Sequence, residues 1–338
     1  MSRPDPNPNK SFEVLQPPTE SVSSLSFSPD DKHLVATSWD CQVGCWKILP
    51  TGSVVRKATM SHDYPVLCST WSEDGSTVFS GGCDKQVTMW PLMGGDQPVT
   101  VGNHDGPVKE IAWIPQWKLL VTGSWDKTLR YWDINQSNPV HIQQLPERCY
   151  ALTVGQRLMF VGTADRNLIV FDLRNLQTEL KRISSLLMYP TRCVAAFPDE
   201  RGFLMGSIEG RVRINHLDDS EESKNFTFKC HRDAGKIYSV NSLNFHPVYH
   251  TFASAGSDGV INFWDKDNKM RIKAMARCAQ PITCSAFNSN GSTFAYAVGY
   301  DWSKGAANHN PAKAKTHIFI HKPEESWVKP MPRGATRR

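Results

Sequence analysis

The sequence lacks a hydrophobic run long enough to cross a membrane. Nowhere in its 338 residues do apolar side chains run unbroken for the roughly 18 positions that a transmembrane helix needs. The first residues, 1–10, carry three prolines among polar side chains and lack the apolar core of a secretory signal. We therefore expect neither membrane insertion nor secretion.

Paired cysteines and nucleotide-binding loops are also missing. The nine cysteines include no Cys-x-x-Cys pair, and the closest two, Cys41 and Cys45, are four residues apart. On a strand this is about 13 Å, beyond the roughly 7 Å Cα separation of a disulfide, so we expect reduced thiols of a cytosolic or nuclear protein. The pairs Gly81-Gly82 and Gly94-Gly95 are not followed by Gly-Lys-Ser/Thr, as a phosphate loop would be. No histidine has a metal-ligand partner at the expected spacing. We expect no cofactor and no metal.

What the sequence does contain is one pattern repeated along the chain. Each copy opens with an aliphatic residue followed five positions later by an aromatic one: 22–27, 66–71, 108–113, 240–245 and 282–287. The copies end in an aromatic residue: Trp46, Trp90, Trp132, Phe171 and Trp264. A period of about 40–45 residues that closes in Trp-Asp is typical of WD40 propeller blades.

Seven turn acids fix the number of blades. They lie 39 to 49 residues apart: Asp40, Asp84, Asp126, Asp165, Glu209, Asp258 and Asp301. The sequence thus predicts an all-β protein, a seven-bladed WD40 β-propeller over 11–322, with a flexible arm at 1–10 and a flexible tail at 323–338. The last blade has only three predicted strands, so Phe12-Glu13-Val14-Leu15 is expected to supply its fourth and close the ring.

His104, Ser124 and Asp126 contain the residue types of a catalytic triad. The same combination recurs as His62 with Asp84, and as His231 with Ser257 and Asp258. A catalytic site is normally built once, whereas a structural device is built in every repeat. We therefore predict a hydrogen-bond network that fixes each blade, with Trp90, Trp132 and Trp264 as its aromatic members. No enzymatic activity is expected.

Aromatic and basic residues in the turns predict a partner-binding face. The turns after the second strand and the segments that open each blade meet on one face of a propeller. The predicted site residues there are Trp39, Trp125, Arg148, Arg192, Arg211, Trp302 and Lys304. Trp and Arg dominate interface energetics; the alternative is that these tryptophans only pack against neighbouring blades.

A second set of basic residues is a candidate for RNA binding. It consists of Lys127, Arg130, Lys229, Arg232 and Lys236. These cations could contact the phosphates of single-stranded RNA, or they could be solvated surface charges. The net charge of +5 and the pI near 8.7 permit RNA or acidic peptides as partners without establishing either.

Several strings of the sequence resemble the nuclear-pore mRNA export factors of the WD40 class, nearest to their plant or algal forms. They include Leu-Pro-Glu-Arg-Cys-Tyr at 145–150, Gly-Thr-Ala-Asp-Arg-Asn-Leu-Ile-Val at 162–170 and Tyr-Asp-Trp-Ser-Lys-Gly at 300–305. Gly-Ser-Ile-Glu-Gly-Arg-Val at 206–212 also matches. Its Ile-Glu-Gly-Arg part and the string Phe-Lys-Cys-His-Arg at 228–232 are shared with the related mitotic-checkpoint propellers. The resemblance covers residues 11 to 322.

This resemblance implies an adaptor that binds the short acidic GLEBS segment of an FG-repeat nucleoporin. Carboxylates of that segment would pair with Arg211, beside Trp39 and other residues of the same face. It further implies a role in mRNA export, with RNA bound directly or through a partner, and a location in the nucleus and at the nuclear pore complex of the nuclear envelope, as well as in the cytoplasm. Two alternatives remain: a mitotic spindle checkpoint adaptor that binds kinase GLEBS segments, and a ubiquitin-ligase substrate receptor suggested by Phe171-Asp172-Leu173-Arg174.

Overall fold

Seven four-stranded antiparallel sheets form a closed ring. The computed structural model describes residues 5–92, 97–312 and 314–330. In each sheet the first strand lies innermost, because the first strands of consecutive blades contact one another, and that of blade seven contacts that of blade one. This arrangement confirms the predicted all-β, seven-bladed propeller.

The strands follow the predicted repeats. The chain begins with β1 (Phe12–Glu13), followed by blade one with β2 (Val22–Phe27), β3 (His33–Ser38), β4 (Gln42–Ile48) and β5 (Val54–Ser61). Blade two contains β6 (Val66–Trp71), β7 (Thr77–Gly82), β8 (Gln86–Pro91) and β9 (Val99–Asn103), and blade three contains β10 (Val108–Ile114), β11 (Leu119–Ser124), β12 (Thr128–Trp132) and β13 (His141–Gln144). Blade four contains β14 (Cys149–Val154), β15 (Leu158–Thr163), β16 (Asn167–Asp172) and β17 (Asn175–Ser184).

The second half of the ring repeats this plan. Blade five contains β18 (Thr191–Ala196), β19 (Gly202–Ser207), β20 (Arg211–His216) and β21 (Phe226–Lys229), and a small hairpin of β22 (Arg232–Asp233) and β23 (Lys236–Ile237) follows it. Blade six contains β24 (Val240–Phe245), β25 (Phe252–Gly256), β26 (Ile261–Asp265) and β27 (Met270–Ala274), and blade seven contains β28 (Ile282–Phe287), β29 (Phe294–Val298) and β30 (His317–His321). Three 3₁₀ helices (Pro115–Trp117, Asp219–Lys224, Ala306–Asn308) and one α-helix, α1 (Glu325–Val328), complete the described elements, and none of these helices is long and apolar enough to span a bilayer.

The first strand of the chain closes the ring by completing blade seven. β1 pairs with β30 in antiparallel register, with Phe12 opposite Ile320. The Val14 amide donates a hydrogen bond of 2.9 Å to the Ile318 carbonyl, and the Val14 side chain is fully buried between blades one and seven. The predicted closing strand is therefore confirmed, over the shorter range Phe12–Glu13 with one further backbone bond at Val14.

The C-terminal segment differs from the expected flexible tail. Instead of leaving the propeller at residue 323, the chain forms α1, and Val328 at its end is buried. The Thr251 hydroxyl donates to the Val328 carbonyl at 2.5 Å, and the rings of His321 and Trp327 stack at 5.3 Å. On the opposite terminus, the Asn9 side chain bonds to the backbone of Ala276, so part of the expected arm also contacts the ring. The rest of the expected arm and tail, 1–4 and 331–338, lies outside the described residues.

The turn that follows the second strand begins with the same conformation in all seven blades, although in blade seven the connection to the third strand is longer and covers 299–316. In six of them the carboxylate of the turn acid accepts a hydrogen bond from the backbone amide two residues later, at 2.9 to 3.4 Å. The residue directly after the acid is always left-handed: Cys41, Lys85, Lys127, Arg166, Gly210, Gly259 and Trp302. We call the side of the ring with these turns the upper face and the opposite side the lower face.

A β-bulge follows the first residue of every innermost strand. The register shift occurs at the same place in all seven blades. A bulge re-aims the side chain of the extra residue, and six of the seven extra residues line the upper end of the central channel: Ser23, Leu67, Lys109, Arg192, Asn241 and Thr283. The bulge thus places one side chain from each of six blades at the upper mouth of the central channel.

Candidate partner-binding face

Three blades contain the predicted histidine network. The Nδ1 atom of His104 lies 2.8 Å from the Asp126 carboxylate, and its Nε2 atom lies 2.7 Å from the Thr122 hydroxyl, to which Trp132 Nε1 also donates at 2.8 Å. His231 repeats this geometry with Asp258, Ser254 and Trp264. His62 bonds Asp84 at 2.6 Å and Ser80 at 2.8 Å, and Trp90 is buried in the adjoining core.

The hydroxyl member of this network was predicted at the wrong residues. Ser124 donates to the Gly106 carbonyl at 3.1 Å, and Ser257 donates to the Asp301 carboxylate, so neither contacts the neighbouring histidine. The hydroxyl comes from inside the second strand of the blade, where Thr122 and Ser254 lie opposite the imidazole. Ser124, at the end of that strand, and Ser257, just after it, stand too close to the turn. Ser124 and Ser257 thus form no nucleophile–base pair with these histidines. The serines that do contact histidine Nε2, Ser80 and Ser254, are fully buried.

Burial determines the charge of the blade-three network. Desolvation lowers the pKa of His104, and the neighbouring Asp126 opposes this effect. Burial raises the pKa of Asp126, but the hydrogen bonds from His104 and Thr128 outweigh it and hold that pKa far below its usual range. A neutral imidazole thus bridges a carboxylate and a hydroxyl, and the network satisfies polar groups inside the blade.

Four of the predicted partner-binding residues meet at the upper mouth of the central channel. Trp39, Trp125, Arg192 and Trp302 line one cavity of about 350 Å³. The rings of Trp39 and Trp302 have centroids 5.9 Å apart, and Trp302 also stacks on His309 at 4.8 Å. Arg192 is exposed and forms no ion pair with any residue that the structure describes. We call these four residues the channel-mouth cluster.

The other three predicted residues lie on the same face but outside this cavity. Arg148 is 53% exposed with Glu147 at 3.8 Å, and Lys304 is exposed in the blade-seven loop. Arg211 opens β20 of blade five, on the far side of the ring from Trp39, and its Nε atom lies 3.6 Å from the buried Glu209 carboxylate. Arg211 and Trp39 are therefore not adjacent, so one ligand must cross the ring to contact both.

An exposed apolar patch was not anticipated from the sequence. It lies on the upper face where the chain passes from blade four to blade five and consists of Leu186, Met188, Tyr189 and Ile208, exposed by 43 to 73%. The Met188 amide donates to Glu209 at 3.1 Å, which places this patch beside Arg211. We call it the blade-five patch. The apolar run that precedes Pro190 was the available signal, but a short run of this kind also predicts a buried strand.

The candidate RNA-binding residues divide into two groups. Arg130 is engaged within the fold, because its guanidinium pairs with Asp105 at 2.5 Å and with Asp126 at 3.4 Å, and its side chain is 16% exposed. Arg232 is engaged in a similar way, since its Nη2 atom donates to the Glu209 carbonyl at 2.8 Å. Lys229 and Lys236 are exposed, while Lys127 pairs with Glu147 at 3.1 Å.

Comparison with known proteins agrees with this architecture. The profile described as "WD domain, G-beta repeat" matches residues 9–47, 54–91, 95–133 and 222–265. Protein RAE1 of Arabidopsis thaliana is 67% identical over 336 residues, which cover 98% of this chain and 96% of the relative. The chain belongs to the Rae1 family of WD40-repeat proteins.

Other members of the Rae1 family are also similar along almost their full length. Protein Rae1 of Drosophila melanogaster is 47% identical over 91% of this chain and 93% of its own. The Poly(A)+ RNA export protein of Schizosaccharomyces pombe is 42% identical over 96% and 94% of the two chains. The similarity to these relatives thus extends over nearly the whole of each chain.

Proposed function

We propose that this protein is a non-enzymatic adaptor in mRNA export that binds the GLEBS segment of an FG-repeat nucleoporin on its upper face. The observation that carries this proposal is the convergence of Trp39, Trp125, Trp302 and Arg192 at the channel mouth. Relatives named for poly(A)+ RNA export and mRNA export support the process. The proposed location is the nucleus and the nuclear pore, with a cytoplasmic pool.

The upper face offers an acidic peptide both apolar and cationic anchors. Arg192 is free of carboxylate partners within the described chain, so an incoming carboxylate would not have to displace one. Arg211 lies next to Glu209, which offsets part of its attraction for a ligand. The blade-five patch lies beside Arg211 and the channel-mouth cluster lies across the ring. An extended peptide that joins the two would bury both aromatic and basic side chains, the pattern of an interface with a few dominant anchors.

RNA contact is proposed only at the exposed lysines. Lys229 and Lys236 extend from β21 and from the β22–β23 hairpin, whereas Arg130 and Arg232 are bound within the fold. Contact through lysines alone would be weak, non-specific and strongly salt-dependent. RNA is therefore proposed to be held mainly in complex with a partner.

Calorimetric titration with two GLEBS peptides, one from a pore nucleoporin and one from a checkpoint kinase, tests the proposal. We expect tight nucleoporin binding that Arg192→Glu weakens by about 2 kcal/mol, as for a charge that is buried in the complex. Arg211→Gln should weaken binding less, because Glu209 already offsets part of the attraction of Arg211 for the peptide. Glutamine is chosen so that no second carboxylate is placed beside Glu209. The control Lys85→Glu changes a charge on an upper-face turn outside the cluster and should leave affinity unchanged.

The two peptides also separate the alternatives. Preference for the kinase peptide would favour a checkpoint adaptor. Binding to neither peptide would contradict the proposed function. The substrate-receptor alternative has little structural support, because the Arg174 guanidinium already bonds the Asp172 carboxylate at 2.6 Å.

A further inference from the structure

The lower face carries an open groove that the proposed function does not use. It runs between blades two and three with a volume of about 540 Å³, and its principal lining residues are Glu73, Asp74, Trp113, Trp117, Asp133 and Ile134. Glu73 and Trp113 also line a second cavity, of about 520 Å³, at the lower mouth of the central channel. The two cavities therefore adjoin at these two residues, and we call them together the lower groove.

The apolar part of the lower groove is rigid and exposed. Trp117 is 52% exposed and Ile134 is 37% exposed. The Trp117 ring is fixed because its Nε1 atom donates to the Leu173 carbonyl at 2.9 Å. Trp113 stacks in parallel on Phe79, with centroids 5.4 Å apart and an interplanar angle of 6°. A ligand would meet aromatic surfaces that are already ordered, so binding would cost little side-chain entropy.

The rim of the lower groove is acidic. The carboxylates of Glu73, Asp74 and Asp133 form no ion pair with any residue in the described ranges. Hydrogen bonds from Ser72 and Ser76 lower the pKa of Asp74, and those from Asn135 and Gln136 lower the pKa of Asp133. Lys118 is the only cation among the described lining residues. At neutral pH the groove is thus negatively charged around an aromatic floor.

We propose that the lower groove binds a basic peptide segment of a partner protein, with an arginine or lysine held between Trp117 and the carboxylates of Glu73 and Asp133. A guanidinium is suited to this site because it stacks on an indole face and pairs with carboxylates at the same time. Apolar side chains next to that arginine or lysine would fit the lower mouth of the central channel, where Phe27, Trp71 and Phe287 lie. The same three carboxylates would repel a nucleic acid.

This proposal gives the ring two faces of opposite charge preference. The upper face carries Arg148, Arg192 and Arg211 for an acidic ligand, whereas the lower groove carries unpaired carboxylates. An acidic and a basic partner could therefore be bound together, one on each face. The lower site stands or fails independently of GLEBS binding, because the proposed anchor residues of the two sites are different and lie on opposite faces. The cavities behind them have only Leu25 in common among the described lining residues.

Fluorescence anisotropy of the whole chain with a labelled synthetic peptide of repeated Gly-Arg-Leu-Gly units tests the lower site. The double variant Glu73→Gln and Asp133→Asn should reduce affinity at least about fivefold, since two exposed charge pairs are lost. Trp117→Ala should reduce it about tenfold through loss of the cation–π contact. Trp117→Phe, which retains an aromatic ring, should keep most of the affinity. The control Asp63→Asn removes an exposed upper-face carboxylate and should have no effect.

Three results would overturn the proposal. They are the absence of saturable binding, unchanged affinity in the double variant, and equal binding of a matched Gly-Glu-Leu-Gly peptide. Competition with a GLEBS peptide also discriminates, because displacement of the basic peptide would place it on the upper face. The expected result is that both peptides bind at once. Thermal unfolding of each variant verifies that the propeller is intact. Should Trp117→Ala fail to fold, the double variant still tests the site, because Glu73 is exposed and Asp133→Asn keeps an oxygen that can accept the hydrogen bonds from Asn135.

Discussion

Trp39 of blade one and Trp302 of blade seven lie with ring centroids 5.9 Å apart, across the junction where the ring closes. Trp302 has a φ of 61°, a left-handed conformation that is costly for a bulky residue. The preceding Asp301 holds this conformation by accepting hydrogen bonds from Asn241 at 3.0 Å and from the Ser303 amide at 3.2 Å. The position of the aromatic pair is therefore set by the blade-seven backbone at Trp302 and by the Asn241 side chain of blade six.

This pairing predicts non-additive effects on peptide binding. Trp39→Ala and Trp302→Ala should each weaken GLEBS affinity by about 1–2 kcal/mol, because each removes an aromatic anchor. The double variant should lose less than the sum, since residues in contact couple by about 0.5 kcal/mol or more. A calorimetric double-mutant cycle measures the coupling. Strict additivity would mean that the two rings act as independent sites.

The corrected histidine network predicts which hydroxyl stabilises blade three. Thr122→Val should lower the free energy of unfolding by about 2–3 kcal/mol, because His104 Nε2 and Trp132 Nε1 would both lose their buried partner. Ser124→Ala should cost about 1 kcal/mol, since the Ser124 side chain bonds only to two backbone groups, the Gly106 carbonyl and the Asp126 amide. Urea denaturation of the two variants provides the comparison, and a larger loss for Ser124→Ala would contradict the assigned network.

Because Val14 takes part in ring closure, substitutions at Val14 and at its neighbour Leu15 should have different effects on the stability of the protein. Val14 is fully buried whereas Leu15 is 68% exposed. Val14→Ala should lower the free energy of unfolding by about 2 kcal/mol through the lost burial and the cavity left behind. Leu15→Ala is the matched control and should stay within about 0.5 kcal/mol of the parent. Equal effects of the two substitutions in chemical denaturation would indicate that the N-terminal strand does not clasp blade seven.

Buried histidines predict that the propeller loses stability in mild acid. Burial lowers the pKa values of His33, His104, His246 and His321. Below about pH 6.5 the unfolded chain therefore binds protons at these residues that the folded chain does not bind. The free energy of unfolding should be fully present above that pH and should fall progressively towards about pH 5. Urea denaturation at several pH values tests this dependence, which a constant free energy between about pH 7.5 and 5.5 would disprove.

The repeat pattern was sufficient to predict the ring, because each blade buries the same positions and ends in the same turn. The turn acids, the number of blades and the closing strand at Phe12–Leu15 follow from periodicity alone. Periodicity does not distinguish Thr122 from Ser124, however, since both are small hydroxyl residues near the acid and only strand register determines which one faces His104.

Features that depend on contacts between blades were not predictable in the same way. The sequence predicts Arg192 in the loop that enters blade five, whereas the residue lies inside the first strand of that blade, β18, at a bulge. Such a bulge is visible only in the pairing of two strands. Arg130 and Arg232 have the residue type of nucleic-acid contacts, yet their hydrogen-bond partners within the fold occupy them. The α1 helix was missed because the prolines around it suggested an unstructured tail, and what stabilises it is packing of Val328 and Trp327 against blade six.

The position of β1 also sets the order in which the molecule can be completed. The ribosome releases Phe12 and Glu13 early, but their pairing partner β30 is made roughly three hundred residues later. Until then blade seven has no outer strand, and the Val14 side chain has no Ile318 or Ile320 to pack against. The nascent chain is therefore an open arc through nearly the whole of its synthesis, and any truncation before His317–His321 leaves it without a clasp.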